Sequence, residues 1–175
     1  MDGSKSFKNI KEIAIISAMT TILIVQEQLL SVLPGIQLTV FLMILYSKKF
    51  GLTKSVIIII VHVLMDNLLM QSFSLMYTPT MLIGWLIIPL TLCTIFKKVE
   101  SPLFLGILGI VYSFIYSWLY IIPNYFLHNI GPIEYIISDI LFEVVLAICS
   151  FLTIFWLYKP CQRLINSLLN KSNKK

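Results

Sequence analysis

Four carboxylates stand inside stretches that are otherwise apolar: Glu27, Asp66, Asp139 and Glu143. A charge at the centre of a bilayer costs roughly 2.5–3.5 kcal/mol even on the lenient insertion scale, so it is kept only where it faces a bundle interior or a cavity. Depth can be counted from the outer end of each apolar stretch at about 1.5 Å per residue. Glu27 then lies about 10 Å from Pro34, Asp66 about 8 Å from Gln71, and Asp139 and Glu143 about 8 and 14 Å from Glu134. The four acids share one level on three helices, and Asp139 and Glu143, four residues apart, share a helix face. Acids scattered for structural reasons have no cause to share a depth, whereas a ligand pocket opening outward gives them one.

Other polar and aromatic groups fall at a similar level, and apolar walls with a few converging polar groups describe a small-molecule site. His62 is one turn from Asp66 on the same face. The expected substrate-binding set is Glu27, Gln37, His62, Asp66, Asn67, Tyr77, Trp85, Tyr120, Asn124, Asp139 and Glu143. Tyr116, Trp118, Tyr125, Gln26 and Gln28 lie near the same level. The outer half of the site holds several acids and no Lys or Arg, so an anionic guest would be repelled and poorly solvated. The pocket should prefer a cationic or a donor-rich neutral organic molecule. Blander roles stay open. Trp and Tyr at this level also serve as interfacial belt anchors, Asn124 after Pro123 suits a turn, His62 can bond Asp66 within the bundle, and Glu27 can snorkel. His62 and Asp66 could supply two metal ligands, but no third accompanies them; no metal and no cofactor is expected.

The elements that must position these groups follow from composition. The chain has 175 residues, 58% hydrophobic and 12% charged, against roughly 45–50% and 25% in soluble domains; mean hydropathy is +0.93. There is too little polar surface to cover a soluble globule and too much apolar content for disorder. Three Cys without paired spacing exclude a disulfide-stapled module. The fold class expected is an all-α integral membrane bundle.

Six spans are predicted, at roughly 20 residues per crossing. They cover residues 10–33, ending at Pro34-Gly35; 36–46, extending to 50; 55–70; 80–96, with Pro89 as a kink; 103–127, with Pro123 near the end; and 133–158, followed by Pro160. Residues 159–175 read as a short amphipathic helix and a basic end. The domain reading is a basic leader over 1–9, a six-helix transmembrane domain over 10–158 and a basic tail over 159–175. The second span is short, and charge argues for it. The thirteen basic residues form four clusters: Lys5/Lys8/Lys11, Lys48/Lys49/Lys54, Lys97/Lys98 and Lys159/Arg163/Lys171/Lys174/Lys175. With six spans and both termini cytoplasmic, all four fall on the cytoplasmic side, and the outer connections carry no Lys or Arg. Without the second span the clusters scatter to both faces. The basic start followed by an apolar run resembles a signal peptide, but no small-residue cleavage site follows and Gln26-Glu27-Gln28 continues the helix. Cys93 and Cys161 fall toward the reducing cytoplasm and Cys149 within the membrane, so free thiols are expected.

No P-loop, GxGxxG, HExxH or CxxC occurs, so ATP-driven work would fall to partner subunits and no enzymatic activity is expected. On the inner half of the first span Ala14 and Ala18 are four apart, as are Ser17 and Thr21. Small residues at that spacing let another helix approach closely, within the chain or from a partner.

Taken together, the chain resembles the substrate-binding S component of an energy-coupling factor (ECF) importer, used by prokaryotes for vitamins and trace metals. The likeness rests on six spans in about this length, on Ala14-x3-Ala18, on the Leu33-Pro34-Gly35-Ile36-Gln37-Leu38 turn, and on a Lys-Lys-Phe-Gly-Leu-Thr-Lys connection before the third span. The resemblance implies a plasma-membrane protein that captures a micronutrient from outside. Ala14 and Ala18 would contact the transmembrane coupling subunit, Pro34 and Gly35 would gate the site, and two ATPase subunits would supply energy. No nucleic-acid partner is implied. No thiamine-, riboflavin-, biotin- or folate-specific signature is present, nor the extended His-bearing N-terminus of nickel and cobalt members. Two rivals stand beside this reading: an intramembrane enzyme using His62, Asp66, Asp139 and Glu143, and a structural membrane subunit without a ligand.

Overall fold

A computed structural model describes residues 3–70 and 73–173 of the chain. The expectations for Met1-Asp2, for Gln71-Ser72 in the third-to-fourth connection and for Lys174-Lys175 lie outside the described residues, as do the side chains of Lys5, Lys8, Lys11 and Lys171. The described chain is all-helical: α1 (Gly3–Leu30), α2 (Thr39–Leu69), α3 (Tyr77–Cys93), α4 (Pro102–Leu119), α5 (Ile121–His128) and α6 (Pro132–Asn173). Four segments are long and apolar enough to cross a membrane: Ile13–Leu30, Thr39–Leu69, Pro102–His128 and Pro132–Leu168. The apolar α3 is shorter.

The expected second and third spans are the two arms of α2, joined at Gly51. That residue leaves the helix with φ 76° and ψ −178°, a backbone region open essentially to glycine. A straight helix would hold Thr39 and Asp66 about 40 Å apart. Instead, Thr39 bonds Gln26 and Asp66 bonds Gln28, two positions apart on α1. The chain therefore reverses at Gly51. The first arm is the centre of the molecule, with every residue from Thr39 to Ser47 buried.

That arm starts on Leu38, which has no side-chain cap of its own. Gln26 of α1 supplies one: Oε1 accepts the Leu38 N–H at 2.9 Å and Nε2 donates to Thr39 Oγ1 at 2.8 Å. Replacing Gln26 by Leu should leave the Leu38 N–H without its acceptor and Thr39 with Gln37 alone, and cost about 1–2 kcal/mol, read as a lowered midpoint in a thermal melt of the detergent-solubilised chain.

The preceding turn also depends on a glycine. Gly35 has φ 76° and is buried, and a Cβ there would meet the Phe142 carbonyl and Val145 Cβ of α6 at 3.1 Å. Left-handed backbone and close approach both require the missing side chain.

α1 and α3 each stop three residues short of the expected spans, at Leu30 and Cys93, and two further differences have a proline reason. The fifth span is two helices, α4 and α5, parted at Tyr120. Pro123 cannot donate to the carbonyl four residues earlier and its ring crowds it, and that carbonyl belongs to Leu119, where α4 stops. At the other end, α6 runs on through Pro160 rather than restarting beyond it. Tyr158, Cys161 and Ile165, spaced by three and four, pack on the core cluster and hold the helix together across the missing hydrogen bond.

α4 and α6 pack antiparallel through small residues. A Cβ on Gly106 would meet Phe151, one on Gly109 would meet Ile154, and Ser113 Oγ lies 3.0 Å from Ser150 Oγ. Basic residues from three of the four clusters converge at one end of the bundle. Lys48 Nζ donates to the Phe96 and Lys97 carbonyls, and Lys49 Nζ donates to Asn166 Oδ1. The free state of Cys93, Cys149 and Cys161 matches expectation.

Candidate functional site

The four acids lie at one level but on two faces of α4. Tyr116 and Ser117, adjacent in sequence, point the two ways. Tyr116 lies within electrostatic reach of Glu27 and Asp66, while Ser117 bonds Asp139 and Glu143. Among the described residues no hydrogen bond or ion pair joins one pair to the other.

On the first face, α1 and the second arm of α2 bring Glu27, His62 and Asp66 together. His62 does not bond Asp66, the partner its spacing suggested. Its Nε2 lies 3.1 Å from Glu27 Oε2, and Asp66 Oδ1 accepts from Gln28 Nε2 at 3.3 Å. The reason is helix geometry: residues on one helix face point outward side by side, so a side chain from the neighbouring α1 is the better-aimed partner. The close His62–Glu27 approach is poorly aligned. His62 is fully buried, and neither ring nitrogen, nor Glu27 Oε2, makes a hydrogen bond with protein.

α3 adds a third group of this kind. The Asn67 side chain, bonded to Thr78 and Met81, fixes the antiparallel register of α2 and α3, and that register puts Trp85 level with His62. Trp85 is fully buried, and its Nε1 has no hydrogen-bond partner. Its ring stacks on Tyr116 with centroids 4.0 Å apart. From there an aromatic column continues. The Tyr116 and Tyr120 hydroxyls are 2.9 Å apart, Tyr77 packs on Tyr120 at 5.8 Å, and the Tyr77 hydroxyl donates to Asn124 Oδ1 at 3.1 Å. Tyr120, like Tyr116, is within electrostatic reach of Glu27 and Asp66. Leaving a buried donor or acceptor unpaired costs about 1–3 kcal/mol each, so a cluster of such atoms calls for an explanation.

Glu27 has a second surroundings. With Pro34, Gly35, Gln37 and Phe142 it lines a cavity of about 180 Å³ beneath the first turn. The expected gate residues Pro34 and Gly35 and the expected site residue Gln37 thus line the same cavity as Glu27. Two other expected site residues are committed to structure. Asn67 spends its amide on Val63, Met81 and Thr78, and Asn124 bridges Tyr77 to the Tyr120 carbonyl.

On the second face Ser117 Oγ lies 2.5 Å from Asp139 Oδ2 and 2.9 Å from Glu143 Oε1. Tyr135 donates to Asp139 and Trp118 Nε1 to Glu143. Glu143 is wholly buried. A hydroxyl has one hydrogen, so Ser117 shares it between the two carboxyls it bridges. Ser117→Ala should therefore cost about 1 kcal/mol or more by leaving two carboxyls facing each other, whereas Asp139→Asn should be milder. Paired thermal melts check the order. Tyr116 and Gln28, placed near this level by the sequence but outside the expected binding set, join the first face, whereas Ser117 was missed; the recurrence of Ser113 and Ser117 at helical spacing in an apolar span was the available signal.

Among the described residues no group of three or more His, Cys, Asp or Glu side chains could hold a metal ion. Ala14 and Ala18 are both exposed on α1, as are Ser17 and Thr21. No family model, no curated protein and no solved structure matches the chain.

Proposed function

We propose that the chain is the substrate-binding membrane subunit of an ECF-type importer, with six spans, both termini cytoplasmic, in a prokaryotic plasma membrane. One observation carries the ligand-binding part: Glu27, His62 and Trp85 bring buried polar atoms without a protein hydrogen bond to one level of an apolar bundle, with only the misaligned His62–Glu27 contact between them. A guest that donates to Glu27, pairs with His62 and accepts from Trp85 Nε1 would offset that cost. The sign of the site favours a cationic or donor-rich guest, because Glu27 and Asp66 line it and the described basic residues that bond across helices gather at the opposite end. The Trp85–Tyr116 stack offers aromatic faces to a flat or cationic ring.

The importer part rests on the sequence resemblance: the alanine stripe, the Pro34 turn and the lysine-rich connection from Lys48 to Lys54. The convergence of basic residues at one end of the bundle supports cytoplasmic termini. The guest enters from outside, the first turn closes over Glu27, and the coupling subunit docks on Ala14 and Ala18 while the ATPases do the work.

A thermal-shift screen of the detergent-purified chain against cationic and neutral vitamins should find one that raises the midpoint. Ala14→Trp with Ala18→Trp should keep that shift and lose uptake and co-purification with the coupling subunit. No stabilisation by any vitamin counts against the ligand reading; uptake unaffected by the double substitution counts against the docking face.

A further inference from the structure

A cleft of about 310 Å³ lies at the α2 reversal, far from the acids, and is lined by Lys48, Lys97, Gly51, Leu52 and Leu92 among others. Its two cations come from different helices. Lys48 Nζ is pinned, donating to the Phe96 carbonyl at 2.6 Å and to the Lys97 carbonyl at 3.3 Å. An ammonium has three hydrogens, so one remains to be used, and the two carbonyls fix the charge in place without neutralising it. Lys97 is exposed. The rim is cationic and the floor, Leu52 and Leu92, is apolar. Leu90, near the end of α3, and Ile95, just beyond it, are exposed large apolar side chains. α3 ends at Cys93, so the cleft sits where apolar helix gives way to the lysine-rich end.

We propose that this cleft binds an anionic phospholipid, with the phosphate on Lys48 and Lys97 and the first part of an acyl chain over the exposed Leu52. A free phosphate would use the lysines and gain nothing from the apolar floor. A zwitterionic lipid would bring its own cation against the same lysines. Basic pockets at the cytoplasmic ends of membrane helices have the chemistry for such headgroups. Glu100 lies within electrostatic reach of Lys48 and opposes the binding. The proposal depends on the chain being a membrane protein and not on its being an importer subunit.

The experiment is a titration of the full-length chain in neutral detergent with phosphatidylglycerol, phosphatidylcholine or inorganic phosphate, read by thermal midpoint and by lipid retained in native mass spectrometry. Phosphatidylglycerol should be retained and raise the midpoint, and the other two should not. Lys97→Gln, at an exposed position that leaves the fold intact, should weaken phosphatidylglycerol binding about fivefold. Glu100→Gln should strengthen it, and Lys98→Gln, outside the cleft, should change it little. Equal binding of the two lipids overturns the proposal, as does an equal shift with inorganic phosphate. An equal loss in Lys98→Gln would mean a diffuse surface charge and overturns it too.

Discussion

His62→Leu should leave the purified chain as stable as its parent or more so, while small-molecule capture falls below detection. The sign of the stability change is the informative part. Breaking a buried ion pair that holds a structure together costs about 3–5 kcal/mol, because one charge is left without its partner. The His62–Glu27 pair has the distance of an ion pair, 3.1 Å, but its atoms make no aligned hydrogen bond. An apolar side chain of similar size removes two ring nitrogens that make no hydrogen bond from the interior, and removing such a burden contributes up to about 1–3 kcal/mol. Glu27 remains next to the cavity beneath Pro34 and can be hydrated there. For a chain of this length 1 kcal/mol is about 2–4 °C in the midpoint. A steep loss of stability would make His62 a structural group and remove it from the site.

Gly51→Val should be the most damaging single substitution outside the core. A Cβ at Gly51 would meet nothing within 4 Å, so space is not the obstacle. The obstacle is backbone: φ 76° with ψ −178° costs a residue with a Cβ about 1–3 kcal/mol, with β-branched side chains at the upper end. A valine there would favour continuing the helix, which would carry the second arm of α2 away from α1 and separate Asp66 from Gln28 and His62 from Glu27. The expected result is a melt lowered by several degrees together with loss of the ligand-induced shift. Gly51→Ala should fall between this and the parent. Insensitivity to valine would mean that the reversal is held by packing alone.

The elements were legible because apolar runs and their breakers are local. Pro34-Gly35 ends α1, and the lysine-flanked glycine turned a single helix into two arms. The common level of the acids was legible for the same reason, since depth is a count along one helix. What a count along one helix cannot supply is which neighbour each face meets. Tyr116 and Ser117 share a level, yet one faces Glu27 and Asp66 and the other faces Asp139 and Glu143. The expected single chamber is therefore two polar clusters with α4 between them. His62 likewise took its partner from α1 rather than from its own face. Pro160 looked like an end because its missing N–H is a local fact, while the packing of Tyr158 and Ile165 that carries α6 past it is not.

The buried polar atoms of Glu27, His62 and Trp85 are the ground of the whole functional reading, and native mass spectrometry of the chain released gently from detergent tests them most directly. The account predicts a single small organic adduct on the parent protein, retained in Ser117→Ala and absent from His62→Leu and Trp85→Phe. A bare chain in every case, or an adduct that survives both substitutions, would contradict it.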